Sequence, residues 1–307
     1  MLDRLPLSIA PTLVVLGLAS AATAQVSPYP AGAYVLSAPS SGSAGDDAIF
    51  RLAPDGSIST LVAPNERLNG LRELVFDQGA MNLYALQSNA WTRTHRVLHV
   101  APDGTLTPVA GGYGYVLATM AITPDGRLNV LQTGTNTSTL IRIDPANNFA
   151  DQQVTLGPPM SIRDVDAGPD GSLYFTGGPL NDIGVWRIGP DDSLSKLPAF
   201  SKGTTFSPLS SPGGIHFDQA SGKLWVTQAA PGAEGSIYTL DLASGDVELW
   251  CKIAGYPQPG MRGVTFDPVA QLPLVGLMSY TTVGYFDQGG TSQASVRLPW
   301  PSDVDLR

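Results

Sequence analysis

The sequence predicts an all-β fold, a six-bladed β-propeller of four-stranded antiparallel blades, and three observations carry that expectation. An apolar strand pattern followed by an Asp-centred turn recurs with a period in the forties. Each period holds two tight turns and one longer loop, which makes four short strands per unit. The chain opens in the middle of a unit, and its C-terminal segment repeats an internal first strand.

The fullest copy of the unit starts at Ile162. It reads Ile162-Arg163-Asp164-Val165-Asp166, then Gly168-Pro169-Asp170-Gly171, then Leu173-Tyr174-Phe175-Thr176. After a loop come Val185-Trp186-Arg187-Ile188, a Pro190-Asp191-Asp192 turn and Leu194-Ser195-Lys196-Leu197. The first turn recurs at Asp77, Asp125, Asp170, Asp218 and Asp267. The second recurs at Pro54-Asp55-Gly56, Pro102-Asp103-Gly104, Asp144-Pro145, Pro190-Asp191, Ser244-Gly245 and Gln288-Gly289. Alternation inside the strands, as in Ile237-Tyr238-Thr239-Leu240, fits a sheet and not a helix. Gly (34) and Pro (26) are spread along the chain, as many short strands joined by turns require.

The ends set the blade count. Ala33-Tyr34-Val35-Leu36 reads as a second strand with no first strand before it. Ser302-Asp303-Val304-Asp305-Leu306 echoes Ile162-Arg163-Asp164-Val165-Asp166, a first strand. The C-terminal strand is therefore expected to join the N-terminal blade. Five internal units and this composite make six blades, and the closed ring has no free sheet edge at its seam.

Residues 1–24 are read as a secretory signal peptide. Arg4 supplies the charged start, and Leu7–Ala19 is an apolar run broken by Pro11. Ala22-Thr23-Ala24 places small residues before Gln25. The run is too short for a membrane span, and no later stretch is apolar enough to be one. The expectation is a leader, then a single propeller domain over residues 25–307, exported to the periplasm or the cell exterior. The net charge of −9 argues against a nucleic-acid partner. Cys251, the only cysteine, excludes an intramolecular disulfide and a cysteine-rich metal site. It is read as a packed strand residue.

First strands line the channel of a propeller. The loops leading into them share one face with the second-to-third-strand loops, and here these are the long, varied segments. Counting back from the first turns puts Arg72, Ala118, Arg163, Gly213 and Arg262 at one level of the mouth. Glu73, Thr119, Asp164, Gly214 and Gly263 come next, with Asp303 from the closing blade. Arg72, Arg163 and Arg262 fall on alternate blades, interleaved with Glu73, Asp164 and Asp303. This set can clamp an anionic or polyol ligand, because guanidinium pairs bidentately with carboxylate or phosphate. It can equally be a self-neutralising ring that stabilises the blade junctions.

Other residues are weaker candidates. His99 and His216 sit inside strand patterns, whereas His95 ends a loop near Trp91 and Arg93. No histidine pair has metal-ligand spacing, and no Gly-x-Ser-x-Gly nucleophile motif is present. Asp46-Asp47 and Asn181-Asp182 are loop acids that could meet calcium or simply be solvated. Trp91, Asn89, Asn136 and Asn181 suit sugar or peptide contact.

The unit Gly168-Pro169-Asp170-Gly171-Ser172-Leu173-Tyr174-Phe175-Thr176, with Ile183-Gly184-Val185-Trp186-Arg187-Ile188, resembles the repeat of virginiamycin B lyase-like propellers. More broadly it is similar to the superfamily of NHL-repeat proteins and the gluconolactonase/regucalcin family. That resemblance implies the propeller fold across the mature chain. For the gluconolactonase group it also implies a divalent ion held at the mouth by Glu, Asn and Asp. The matching positions here are Arg72, Ala118, Arg163, Gly213 and Arg262, which do not match those ligands, so no cofactor is predicted and a divalent cation stays an open alternative. The lyase's His before a first strand matches Gly213, with His216 out of register. The expected function is therefore binding, of a small anionic or sugar-like ligand or of another protein. The alternative is a diverged lactonase-like hydrolase or lyase, with the arginines as clamps and Glu73 or Asp164 as general base.

Overall fold

The structure is a computed structural model. It describes residues 33–37, 47–53, 57–64, 69–90, 92–179, 182–197, 211–229, 234–257, 261–267, 272–277, 282–297 and 301–306. The leader, Asp46, Trp91 and Asn181 lie outside the described residues. So do the side chains of Arg262 and Asp303, although their backbones are described.

Twenty-four strands form six antiparallel four-stranded sheets. Blade one combines β24 (Pro301–Leu306) with β1 (Ala33–Ser37), β2 (Ala48–Leu52) and β3 (Ile58–Val62). Blade two is β4 (Leu71–Asp77), β5 (Asn82–Asn89), β6 (Thr94–Val100) and β7 (Leu106–Gly111). Blade three is β8 (Val116–Ile122), β9 (Leu128–Thr133), β10 (Ser138–Asp144) and β11 (Ala150–Gly157). Blade four is β12 (Ser161–Ala167), β13 (Leu173–Gly178), β14 (Gly184–Ile188) and β15 (Leu194–Lys196). Blade five is β16 (Ser211–Asp218), β17 (Lys223–Ala229), β18 (Glu234–Asp241) and β19 (Val247–Pro257). Blade six is β20 (Met261–Asp267), β21 (Leu272–Leu277), β22 (Thr282–Phe286) and β23 (Ser292–Arg297). The closure expected from sequence is present: β24 pairs with β1, Asp303 opposite Leu36 and Val304 opposite Val35.

The Asp-centred turns hold their shape with their own carboxylates. Asp77 Oδ1 accepts from the Gly79 and Ala80 N–H groups, Asp170 Oδ1 from Ser172 and Asp218 Oδ1 from Ala220. The second turns repeat this with Asp103, Asp191, Asp241 and Asp287. Gly104 and Gly171 sit at φ +83° and +78°, which other residues adopt only with strain. A Cβ on Gly104 would also lie 2.1 Å from Leu61 O. The described turns of both kinds lie at the same end of their strands, so one face of the ring is studded with aspartates and the opposite strand ends lead into the varied loops.

Blades pack through a repeated ring contact between a second strand and the next blade's first strand. Tyr34 stacks on Phe76 at 6.2 Å, Tyr174 on Phe217 at 6.0 Å and Trp225 on Phe266 at 4.8 Å. Cys251 is buried on β19 beside this last cluster, and burial, then the Asp287 charge, pushes its thiol up to about 12. At neutral pH the native protein should therefore react with an aromatic disulfide reagent at least about a hundredfold more slowly than the denatured chain. Stopped-flow thiol titration checks this, and matching rates would refute it.

Candidate functional site

Each inner strand carries a β-bulge near its loop-face end. The ladder skips Arg72 in β4, Ala118 in β8, Arg163 in β12, Gly213-Gly214 in β16, Gly263 in β20 and Ser302 in β24. A bulge adds a residue without a ladder partner and re-aims its side chain. Arg72 and Arg163 are both exposed at these bulges. Arg262 is, like Arg72, five residues before its turn aspartate; the ladder pairs it with Gly276 and leaves Gly263 out, where in β4 it pairs Glu73 with Leu86 and leaves Arg72 out. Gly263 has φ +58°, and a Cβ on Gly214 would lie 2.9 Å from Gly263 C, so two glycines let β16 and β20 approach closely.

In blades two, three and four the residues after the bulges are buried polar side chains. Glu73 from blade two, Thr119 from blade three and Asp164 from blade four come together. Thr119 Oγ1 donates to Glu73 Oε2 at 2.7 Å, and Glu73 is hydrogen-bonded to the Asp164 carboxyl. Two carboxylates are both acceptors, so that bond requires one shared proton. Asp164 Oδ2 also accepts from Ile215 N–H at 2.7 Å, and Oδ1 from Val165 N–H at 2.9 Å. Burial raises the Asp164 carboxyl to about 6, against the pull of these donors, and the nearby Asp166 charge adds to the rise.

Asp164 belongs to a set of polar side chains that reach from one blade to the next blade's inner strand. Asp47 Oδ2 accepts from Leu71 N–H, Ser88 Oγ from Leu117 N–H and Ser138 Oγ from Met160 N–H. Asp166 Oδ2 accepts from Phe217 N–H, and Thr176 Oγ1 donates to Gly213 O. Asp47 is thus a buried junction residue and not a solvated loop acid. Asp182, the other described loop acid, pairs with Lys196.

His99 and His216 are packed strand residues, as expected. His99 meets Asn82 and the edge of Tyr84, and His216 Nδ1 lies 3.1 Å from Asp166. His95 is placed differently. Its Nδ1 is 2.9 Å from Ser88 Oγ, and burial, then the positive charge of Arg72, lowers its pKa. Arg72 Nε itself donates to Ser88 O. Blade two therefore carries an Arg72–Ser88–His95 group on the loop face that separation along the chain concealed. Among the described residues no three His, Cys, Asp or Glu side chains are placed to hold a metal ion.

No family model matches the chain, and no curated protein matches it. Solved structures do. Virginiamycin B lyase from Staphylococcus aureus is 18% identical, with 76% of this chain and 73% of that chain covered and a TM-score of 0.55. The periplasmic gluconolactonase of Pseudomonas aeruginosa is 15% identical over 89% and 98% of the two chains, with a TM-score of 0.57. A chain of the nidogen/laminin complex is 13% identical over 89% and 97%, with a TM-score of 0.66. At these identities the likeness speaks for architecture: the chain is a six-bladed β-propeller with the fold these lactonase-like, lyase-like and complex-forming proteins share.

Proposed function

We propose that this chain is an exported binding propeller whose loop face and channel mouth take a small anionic or sugar-like ligand. The observation that carries the reading is the split of charge at the mouth. Glu73 and Asp164 are turned inward and satisfied by Thr119, by backbone N–H groups and by each other. Arg72 and Arg163 are lifted on bulges and exposed. The leader-like N-terminus and the periplasmic gluconolactonase among its structural neighbours support export. The test is a thermal-shift screen with sugar acids, their lactones, phosphate and calcium. It is run on the wild type and on Arg72→Ala/Arg163→Ala/Arg262→Ala. A ligand at a hundred times its Kd adds about 2.7 kcal/mol of stability. Stabilisation of the wild type by an anion, lost in the variant, is expected; equal shifts in both proteins would refute the reading.

One observation favours a second reading, a lactonase-like hydrolase. A buried carboxyl raised to about 6 is tuned for proton transfer near neutral pH. That reading requires turnover of a lactone from the same screen, lost in Asp164→Asn.

A further inference from the structure

Among the described residues the exposed large apolar side chains are Ile58, Leu249 and Tyr115. Ile58 and Leu249 stand on β3 and β19, the outer strands of their blades. Tyr115 differs in kind and in place. It is aromatic and half exposed, and it stands just before β8, where the chain crosses from blade two to the inner strand of blade three. That is the loop side of the ring, at the entrance to the channel.

A single exposed apolar residue is common on protein surfaces, so the surroundings decide what this one means. They hold its backbone and leave its ring bare. Gln132, itself buried, donates from Nε2 to Tyr115 O at 3.2 Å. Two residues on, Leu117 N–H is anchored on Ser88 Oγ at 2.9 Å. The ring lies beside the turn 134–137, which Gly134 N–H closes onto Thr137 O at 2.9 Å. A Cβ on Gly134 would lie 2.7 Å from Thr137 O and 3.5 Å from Tyr115 Cδ2. The turn therefore keeps a glycine there, and no side chain from it stands between the backbone and the ring. A Cβ on Gly114, the preceding residue, would meet no atom outside its two neighbours within 4 Å, so the approach is open. A flat apolar surface held in place in this way is preorganised for a flat partner.

Two polar groups accompany the ring. Asn136 is exposed in the same 134–137 turn and offers an amide that both donates and accepts. Arg72 is exposed at the same blade junction: its Nε donates to Ser88 O, and Ser88 is the residue that anchors Leu117. A sugar acid in its ring form uses all three groups. Its C–H face stacks on the aromatic face, its hydroxyls meet the amide and its carboxylate pairs with the guanidinium. Phosphate has no apolar face to lay on Tyr115, and a plain aromatic acid has no hydroxyls for Asn136.

We propose that Tyr115 is the sugar platform of the mouth, and that the ligand is a uronic acid in its pyranose form, free or as a residue of an acidic oligosaccharide. Tyr115 carries the ring, Asn136 the hydroxyls and Arg72 the carboxylate. This rests on the binding role proposed above and narrows it.

The test is calorimetric titration of the full chain with galacturonate, trigalacturonate, glucose, benzoate and inorganic phosphate at matched ionic strength. It is run on the wild type, Tyr115→Ala, Tyr115→Phe and Arg72→Ala/Arg163→Ala/Arg262→Ala. Expected is saturable binding of galacturonate or trigalacturonate, weakened about tenfold or more in Tyr115→Ala and kept within about twofold in Tyr115→Phe. Which of the two binds more tightly separates a free sugar acid from an oligosaccharide. Tyr115 is exposed, so Tyr115→Ala should melt with the wild type and bind phosphate as the wild type does, which separates lost stacking from lost fold. The proposal is overturned if neither uronic acid ligand binds, or if Tyr115→Ala binds them as the wild type does. It is equally overturned if Tyr115→Phe is as weak as Tyr115→Ala, or if glucose or benzoate binds as tightly as the uronic acid. The wider binding role is judged separately. An anion that binds the wild type and not the arginine variant keeps the mouth as an anion site even where Tyr115→Ala changes nothing.

Discussion

A chain lacking residues 301–306 is expected not to reach the closed, monomeric fold. Five residue pairs tie β24 to β1, and β24 also lies against β20 and β4, the inner strands on either side of it. Its removal leaves Tyr34, Val35 and Leu36, all fully buried, facing a vacant inner position. At about 1 kcal/mol net per hydrogen bond, the ladder alone is worth roughly 5 kcal/mol. Lost apolar burial adds to this, and the total approaches the whole stability of a typical domain. The uncovered edge of β1 is then free to pair with another molecule. Size-exclusion chromatography and thermal melting decide the matter. The expected result is aggregation or a melting point lower by more than about 15 °C, with partial rescue by a peptide of residues 301–307. A truncated monomer that melts with the wild type would contradict the seam.

Asp164→Ala carries the next largest effect. It strands two buried N–H groups, those of Val165 and Ile215, and removes the Glu73 partner. An unsatisfied buried donor costs about 1–3 kcal/mol, so a loss of roughly 3–5 kcal/mol is expected in urea unfolding. Asp164→Asn keeps an acceptor and should lose less, and it also isolates the titration. The native carboxyl binds its proton more tightly than the unfolded one, about 6 against 3.8. Between those values the native state holds a proton that the unfolded state has released, so stability falls as pH rises. The contribution is fully present below about pH 4 and is lost as pH passes through 6. Two units correspond to roughly 2–3 kcal/mol. The stability of wild type minus that of Asp164→Asn should therefore be greatest near pH 4 and shrink toward pH 7. Parallel curves would show that the pair does not share its proton as inferred.

What the sequence revealed and what it hid divide along physical lines. The turns were legible because they need particular residues: Asp77 and Asp170 to cap their own N–H groups, Gly104 and Gly171 for the left-handed backbone. The seam was legible because 302–306 repeats the polar-apolar order of 162–166. Bulges have no such signature. Any residue can be the extra one, and it is Arg72, Arg163 and Gly263 in three of the inner strands. The blade-to-blade bonds were hidden for another reason. Ser88 and Ser138 are ordinary small polar residues, and their partners are main-chain N–H groups 29 and 22 positions along. The Arg72–His95 proximity required the pairing of three strands to be known before the two could meet.

The ring of turn aspartates has a consequence beyond holding turns in shape. It gives the molecule an electrical direction. Among the described residues carboxylates outnumber their paired Arg127, Arg142 and Arg187 at the turn end, whereas Arg72, Arg93, Arg96 and Arg163 lie toward the other. An anion diffusing from the aspartate side is repelled; one arriving from the loop side is drawn in. Within a Debye length of about 10 Å at 0.1 M salt, this field acts before any contact is made. The same asymmetry orients the protein on a positively charged surface. An anion-exchange matrix at low salt should hold it turn side down, with the loops turned outward and accessible to protease and ligand alike.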